Sequence, residues 1–316
     1  MWLKILLLLL VTLIALGTIF GVPWVTQKPW ISIGYFELEE FSDLSTAAMP
    51  EFATITPDSL IDSNSHLVAD PFLFVDDDQQ FIFFEMLKDA GGGKIGASAL
   101  KPDGSWEYLG SVLDEKFHLS YPLVFEHSGE RFMVPESWQA NSVRLYQAND
   151  FPRGWQFVST LIEGEAFIDP TVFRHNQSWW LLVSLKGNKE IKGNKELRLY
   201  MADELTGPWE QHPQSPVVVN DPNIARPGGR MIKVGERLYR VGQDTFPQYG
   251  LAVGLFEITT LNREEYVEVA HPDNPILRGS GDGWNADGMH HLDLQQVDGR
   301  WLGVADGHYE TLIFGP

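Results

Sequence analysis

The sequence predicts an all-β fold, a five-bladed β-propeller, preceded by one N-terminal transmembrane or signal helix. Three observations carry that reading. Two apolar runs joined by a short turn occur five times in one frame. The copies recur at intervals of roughly 50 to 65 residues, the period of a unit of several strands. Further β-branched and aromatic runs fill the intervals.

The elements can be justified in chain order. No charge falls between Lys4 and Lys28, and residues 5–22 are almost wholly apolar. As a helix they would span about 27 Å, close to the hydrocarbon thickness of a bilayer. Such a helix would be hydrophobic on every face. Residues 1–22 are therefore expected to be a single-pass signal anchor, with the propeller on the extracytoplasmic side of the membrane. A cleaved signal peptide, leaving a secreted protein, is the alternative. Residues 23–65, with Pro23, Pro29, Pro50 and Pro57, read as a linker interrupted by a strand at about 31–38.

The propeller proper is expected over 66–316. Its copies contain ADPFLF, SYPLVFE, IDPTVF, ARPGGRMI and HHLDLQQ, with turns at DDDQQ, HSGER, HNQSW, VGER and VDGR. Gly or Asn stands where a hairpin turn needs positive φ. Intervening strands are expected at 94–99, 143–147, 197–201, 251–258 and 309–314. The last copy is short of strands, so 31–38 is predicted to supply the outer strand of blade five. Residues 186–196 hold a tandem hexapeptide duplication, read as a lengthened hairpin tip.

Composition narrows the function. A formal charge of −20 argues against nucleic acid, whose phosphates need a basic face. The chain has no cysteine, which excludes disulfides, thiolate catalysis and Cys-ligated metal. No P-loop, dinucleotide-binding, G-x-S-x-G or kinase pattern is present.

In a propeller the first strand of each blade lines the central channel, so its opening residues converge on one mouth. The frame makes these Asp70, Tyr121, Asp169, Arg226 and His291, with His290 beside the last. A tightly packed hub would favour small or apolar residues, so this polarity points to function. A single Asp-Pro could merely open a turn; two in one frame, with Arg and His at equivalent places, argue otherwise. Fifteen residues on, a second ring holds Glu85, Glu136, Ser184, the Gly242-Gln243-Asp244 region and Asp306. Glu85 and Glu136 end apolar strands, so each is either a rim charge or an inward acid with a raised pKa. His118, Arg230, Trp284 and Asp293 lie in further aromatic and polar clusters. Aromatic faces with Arg, Asn and Asp suit sugar recognition. His290 and His291 point to opposite faces of a strand, which disfavours a shared catalytic metal. No cofactor is required, though a structural cation could sit in the channel.

The stretches ADPFLF, FHLSYPLVFE, MVPES, LYQANDFP, GPWEQHPQSP, GGRMI, LYRVGQD and HHLDLQQ carry a resemblance. From about Ser65 to Asp306 the chain resembles the five-bladed propeller domain at the N-terminus of plant glucosamine inositolphosphorylceramide transferases and of bacterial relatives. In those proteins the sugar-transfer module is a separate C-terminal domain, and this sequence ends before one. The transferase activity is therefore not expected here. More distantly the chain is similar to glycoside hydrolase family 43, which uses an Asp base from blade one, an Asp modulator from blade three and a Glu acid from blade four. That resemblance implies base and modulator roles for Asp70 and Asp169. The acid position departs from the pattern, with Arg226-Pro227-Gly228 in place of Glu-Gly-Pro. An inverting enzyme needs a protonated acid roughly 6.5–9.5 Å from its base, and Arg cannot supply that proton. Glu136, His290 or His291 could stand in.

The expected function is thus a membrane-anchored, carbohydrate-active propeller of glycoside hydrolase type. Asp70, Asp169, Glu136 and His291 are its candidate catalytic residues. Glu85, His118, Tyr121, Arg226, Arg230, Gln243, Asp244, Trp284, His290 and Asp293 are candidate substrate contacts. The alternative is a non-catalytic carbohydrate-binding propeller that assists a partner glycosyltransferase in glycan or glycolipid synthesis. Either way the expected partner is a carbohydrate or the glycan of a glycolipid.

Overall fold

The repeated frame folds into antiparallel hairpins. A computed structural model describes residues 25–314 apart from 62, 64, 88–90 and 188–194. The expected N-terminal helix and most of the hexapeptide duplication lie outside the described residues. Among those residues no helix is long and apolar enough to cross a membrane. Two compact units are distinguished: Ile31–Tyr309, which is the propeller, and a second made of Met1–Trp30 with Glu310–Pro316.

The first strand, β1 (Val25–Leu38), belongs to the last blade. Blade one is β2 (Val68–Asp76), β3 (Gln79–Leu87), β4 (Gly93–Leu100) and β5 (Trp106–Leu113), hydrogen-bonded in that order. Blade two repeats the order with β6 (Ser120–His127), β7 (Glu130–Glu136), β8 (Ser142–Asp150) and β9 (Arg153–Glu163). Blade three has β10 (Phe167–His175), β11 (Ser178–Leu185) and β12 (Glu196–Ala202). The short strands β13 (Glu210–Gln211) and β14 (Val218–Val219) both pair with β12.

In blade four the inner strand is broken into β15 (Arg226–Pro227) and β16 (Ile232–Val234), both paired with β17 (Arg237–Asp244). Outside β17 lie β18 (Ala252–Leu261), β19 (Tyr266–Ala270) and β20 (Leu277–Arg278). Blade five is β21 (Leu292–Val297), β22 (Arg300–Phe314) and β1. The break in blade four goes with a longer spacing in its copy, nine residues from Arg226 to the turn at Gly235 against eight from Asp70 to Asp78. The strand expected at 309–314 is not separate: β22 runs on without a turn from Arg300 to Phe314.

The inner strands close a circle. β2 packs against β6 and β21, β6 against β10, and β10 against β15. Leu292 N–H donates to Gly228 O at 2.8 Å, joining blade five to blade four. The apolar core fills the wedges between neighbouring sheets. Phe83, Ile95, Val124, Met133 and Tyr146 pack together between blades one and two, and Trp180, Leu182, Leu199, Met231 and Leu238 between blades three and four. Residues 31–38 close blade five from outside, as the sequence predicts, and a Cβ on Gly303 would come within 2.4 Å of the Phe36 ring. The segment after β1 is more than a linker. It buries Leu44, Ile55 and Leu60, and Ile33 N–H donates to Ile55 O, covering the free edge of β1.

Candidate functional site

Three frame residues share an unusual backbone. Asp70, Tyr121 and Asp169 have φ of 52, 47 and 51°, and each precedes a proline. At each the strand pairing slips by one residue, between Ala69 and Phe72, Ser120 and Leu123, and Ile168 and Thr171. These are β-bulges whose left-handed residue, usually Gly, is here Asp or Tyr. Each such residue costs about 1–2 kcal/mol, and such outliers concentrate at functional sites. Proline is tolerated because the inner strand is a sheet edge. The bulge turns each side chain inward and takes its N–H out of the ladder.

A carboxylate from the neighbouring blade takes up that N–H in two cases. Asp70 N–H donates to Asp306 Oδ2 at 2.9 Å, and Asp169 N–H to Glu136 Oε2 at 3.1 Å. Around Asp70, His290 Nε2 lies 3.3 Å from Oδ1 while His290 Nδ1 lies 3.1 Å from Asp306 Oδ1. Burial works to neutralise the ring, but Asp306 and Asp70 outweigh it and lift the His290 pKa to about 9. Burial likewise pushes Asp70 up; the hydrogen bond and charge of His290 overcome it and hold Asp70 at about 2. Burial raises Asp306 to about 6 against the pull of His290. Near neutral pH, Asp70 is therefore an ionised carboxylate beside an imidazolium.

The opposite side is built on Asp169. Arg226 grips it with Nε on Oδ2 and Nη2 3.2 Å from Oδ1, and Gln243 Nε2 donates to Oδ2 at 2.8 Å. Burial pushes the Asp169 carboxyl up and the guanidinium works against it. Arg226 also reaches 4.0 Å from Glu136. Burial, then the Asp169 charge, pushes Glu136 well above the usual carboxylate range; burial, then the Asp70 charge, does the same to Glu85. His118 bridges these two acids. Its Nδ1 accepts the Gly93 N–H at 2.8 Å, so the neutral ring carries its hydrogen on Nε2, 3.7 Å from both Glu85 Oε1 and Glu136 Oε1.

The site's floor and rim are distinct. Tyr121 is fully buried; its hydroxyl donates to Gly229 O at 2.9 Å, accepts the Gly229 N–H at 2.8 Å and lies 2.8 Å from Thr171 Oγ1. His291 is buried against the Tyr121 and Phe72 rings, and desolvation drives its pKa to about 3. It therefore stands as a neutral floor residue, without an imidazolium proton to give. Arg230 and Asp293 pair further along the channel, Nε to Oδ1 at 2.8 Å, and together they cap Leu73 O and N–H. At the rim the half-exposed Tyr249 ring lies 5.2 Å from the Arg226 guanidinium and 5.0 Å from the His290 ring. Lys186 rests over Trp138, with Glu136 and Arg226 close enough to act on its charge.

Two expected contacts fall elsewhere. Trp284 is a wedge in the core: its ring abuts Gly34 and Gly307, and its Nε1–H donates to Pro50 O at 2.9 Å. Asp244 turns its carboxylate onto Phe246 N–H at 3.2 Å, shaping the loop that presents Tyr249. The structure also adds residues the sequence reading left out of the site. Asp306 was legible as the second-ring position of blade five. Tyr249, Trp138 and Lys186 fall outside both rings, and no spacing signals them.

The comparisons with known proteins agree with this architecture. The sequence model of the family described as "Glucosamine inositolphosphorylceramide transferase 1, N-terminal" matches residues 24–308. The chain belongs to this family. Glucosamine inositolphosphorylceramide transferase 1 of Oryza sativa subsp. japonica is 40% identical over 250 residues, covering 77% of this chain and 33% of the rice protein. The Arabidopsis thaliana protein of the same name is 35% identical over 252 residues, 78% and 33% of the two chains. The chain thus spans about a third of the length of these relatives. Among solved structures, the catalytic domain of a Coprinopsis cinerea GH62 α-L-arabinofuranosidase superposes with a TM-score of 0.55 at 13% identity, covering 76% of this chain and 90% of that one. A family 117 glycoside hydrolase from Zobellia galactanivorans gives 0.54 at 12% identity, covering 88% and 90%. These likenesses establish the fold that the family domain shares with glycoside hydrolases.

Within the family's hub, Asp70, His290 and Asp306 are the group of three among the described residues whose ligand atoms lie within 4.8 Å of one another. Asp306 is spent as a ligand, whereas Asp70 Oδ1 and His290 Nδ1 are buried without a hydrogen-bond partner among the described residues. Both Asp306 oxygens accept backbone N–H groups, and both His290 nitrogens face carboxylate oxygens, as in an imidazolium.

Proposed function

We propose that the channel mouth is a carbohydrate site with the chemistry of an inverting glycoside hydrolase. One arrangement carries the reading: Asp70 lies 3.3 Å from the His290 ring, which holds it down, while Glu136 is buried on the Asp169 N–H, 4.0 Å from Arg226, where burial pushes it up. Such a split separates a general base from a general acid. Asp70, ionised at neutral pH, accepts a proton from water as that water attacks the anomeric carbon. Glu136, protonated, gives its proton to the departing glycosidic oxygen. Asp169, fixed by Arg226 and Gln243, orients the sugar hydroxyls, and Tyr249 and Trp138 offer ring faces for stacking. No cofactor is needed, because His290 and Arg226 already supply the positive charge. The substrate is the glycan of a glycolipid or a free glycan. Residues 1–22 anchor the protein so that the propeller meets it on the extracytoplasmic side.

A second reading has its own support. Arg226 occupies the position that would hold the acid, and its guanidinium and His290 neutralise Asp169 and Asp70. A mouth so neutralised would bind a glycan without cleaving it, and would serve a partner glycosyltransferase like the relatives' own.

The test is a screen of the full chain in detergent against glycan arrays and aryl glycosides, with Asp70→Asn and Glu136→Gln beside it. The hydrolase reading expects each variant to lower kcat by about 10²–10⁴-fold. Turnover indifferent to Asp70→Asn rules out the base; glycan binding without turnover selects the accessory reading. EDTA dialysis is expected to leave melting temperature and binding unchanged, and a loss would instead place a structural cation in the channel.

A further inference from the structure

The second-ring carboxylate of blade five, Asp306, has no role in that scheme, yet it is fully buried and accepts three backbone N–H groups. Its Oδ2 takes the Asp70 N–H at 2.9 Å; its Oδ1 takes the His290 and His291 N–H groups at 3.2 and 3.0 Å. The same Oδ1 lies 3.1 Å from His290 Nδ1. One carboxylate thus fastens the bulge of blade one to the start of blade five and faces the ring that touches Asp70.

We propose that Asp306 is a positioning residue for the site, holding His290 as a charged donor against Asp70 and so keeping the Asp70 carboxylate ionised and aimed into the mouth. The inference deepens the carbohydrate reading and rests on it for the role of Asp70. The His290–Asp306 contact itself does not depend on that role.

The physical argument is one of compensation. Asp70 is 2% exposed, and a buried carboxylate with no counter-charge takes up a proton. His290 meets that need only while it is an imidazolium, and a buried imidazolium needs acceptors on both nitrogens. Asp70 Oδ1 lies 3.3 Å from Nε2 and Asp306 Oδ1 3.1 Å from Nδ1, so each nitrogen has a carboxylate beside it as counter-charge, although neither contact has hydrogen-bond geometry. Among the other groups around His290, Glu85 is a carboxyl that burial and the Asp70 charge push up, so it offers little counter-charge near neutral pH. Arg226 in β15 and the neighbouring His291 and His308 act against its charge or are neutral, and the Tyr249 ring only lies alongside it. The bulge supplies the second half of the device. By taking the Asp70 N–H out of the β2 ladder it creates a donor that must be met, and Asp306 meets it. Glu136 repeats this latch on Asp169 between blades two and three, with the His118 imidazole 3.7 Å from its other oxygen.

The experiment is side-chain NMR on the full chain in detergent, with ¹⁵N-labelled histidine and His290→Gln to assign the signal. In the wild type His290 is expected to show imidazolium shifts on both nitrogens through neutral pH. In Asp306→Asn the ring is expected to become neutral at the same pH, its pKa falling from about 9 by more than about two units. In Asp306→Glu, which keeps a carboxylate, most of the charge should return. If Asp306→Asn folds and His290 stays charged, or if the ring is already neutral in the wild type, the proposal fails. Should Asp306→Asn not fold, Asp306→Glu decides: an imidazolium there supports the role and a neutral ring overturns it. The readout needs no substrate, so failure of the hydrolase reading would leave this result standing, and the converse also holds.

Discussion

His290 and Asp70 bind their protonation states to folding, and the sign of each effect follows from its direction. His290 titrates at about 9 when folded against an ordinary 6.5. Its contribution to stability is complete below 6.5 and is lost as pH rises through 9. Asp70, held at about 2 against an ordinary 3.8, contributes above 3.8 and loses that contribution as pH falls through 2. Glu85 and Glu136, raised by burial, also lose stability as they are forced to ionise at higher pH. The melting temperature is therefore expected to fall on the alkaline side, as scanning calorimetry across pH would reveal. In Asp70→Asn, which leaves His290 with one counter-charge, the His290 part of that fall should be smaller and end nearer neutrality. An unchanged profile would mean that the pair does not share charge. Tyr121→Phe is a second test at this scale. It strands the buried Gly229 N–H and leaves its carbonyl only the long Thr171 contact at 3.5 Å, so urea unfolding should show a loss of about 1–3 kcal/mol.

At the scale of the element, the inner strands do more than line a channel. The bulges in β2, β6 and β10 occur at the same frame position and each presents one side chain to the mouth. β15 and β16 achieve the same end by breaking outright, while β21 stays regular. The break at blade four depends on Gly229. Its φ is 153°, and a Cβ there would stand 1.8 Å from Leu292 O. Gly229→Ala must push blade four from blade five, and a loss above about 3 kcal/mol is expected in chemical denaturation. The Asp-Pro, Tyr-Pro and Asp-Pro steps were visible in the sequence in one frame. Their left-handed backbone was not, because Asp and Tyr rarely adopt it unless tertiary contacts impose it. Trp284 shows the opposite error: an aromatic beside Asn and His suggests a sugar platform until its ring is found wedged between Gly34 and Gly307.

At the scale of the molecule, the ring is closed by two ends of the chain. β1 forms the outer strand of a sheet whose other strands come from the last copy, so the fifth blade exists only if the first strand returns to it. Removing residues 1–38 should therefore cost cooperative unfolding of the whole propeller, broadening the transition rather than trimming one edge. A variant that still melts in one sharp step would show that blade five stands on its own. The sequence by itself determined the number of blades, the frame of their inner strands, the use of 31–38 to close the ring and the polar frame residues Asp70, Tyr121, Asp169, Arg226 and His291. These are carried by local periodicity, which the chain repeats five times. Only the tertiary structure decided which acids are ionised, which histidine is charged, and that Asp306 joins them. Those properties come from burial and from partners 15 to 236 residues away in the chain, and no local pattern encodes a distance in space.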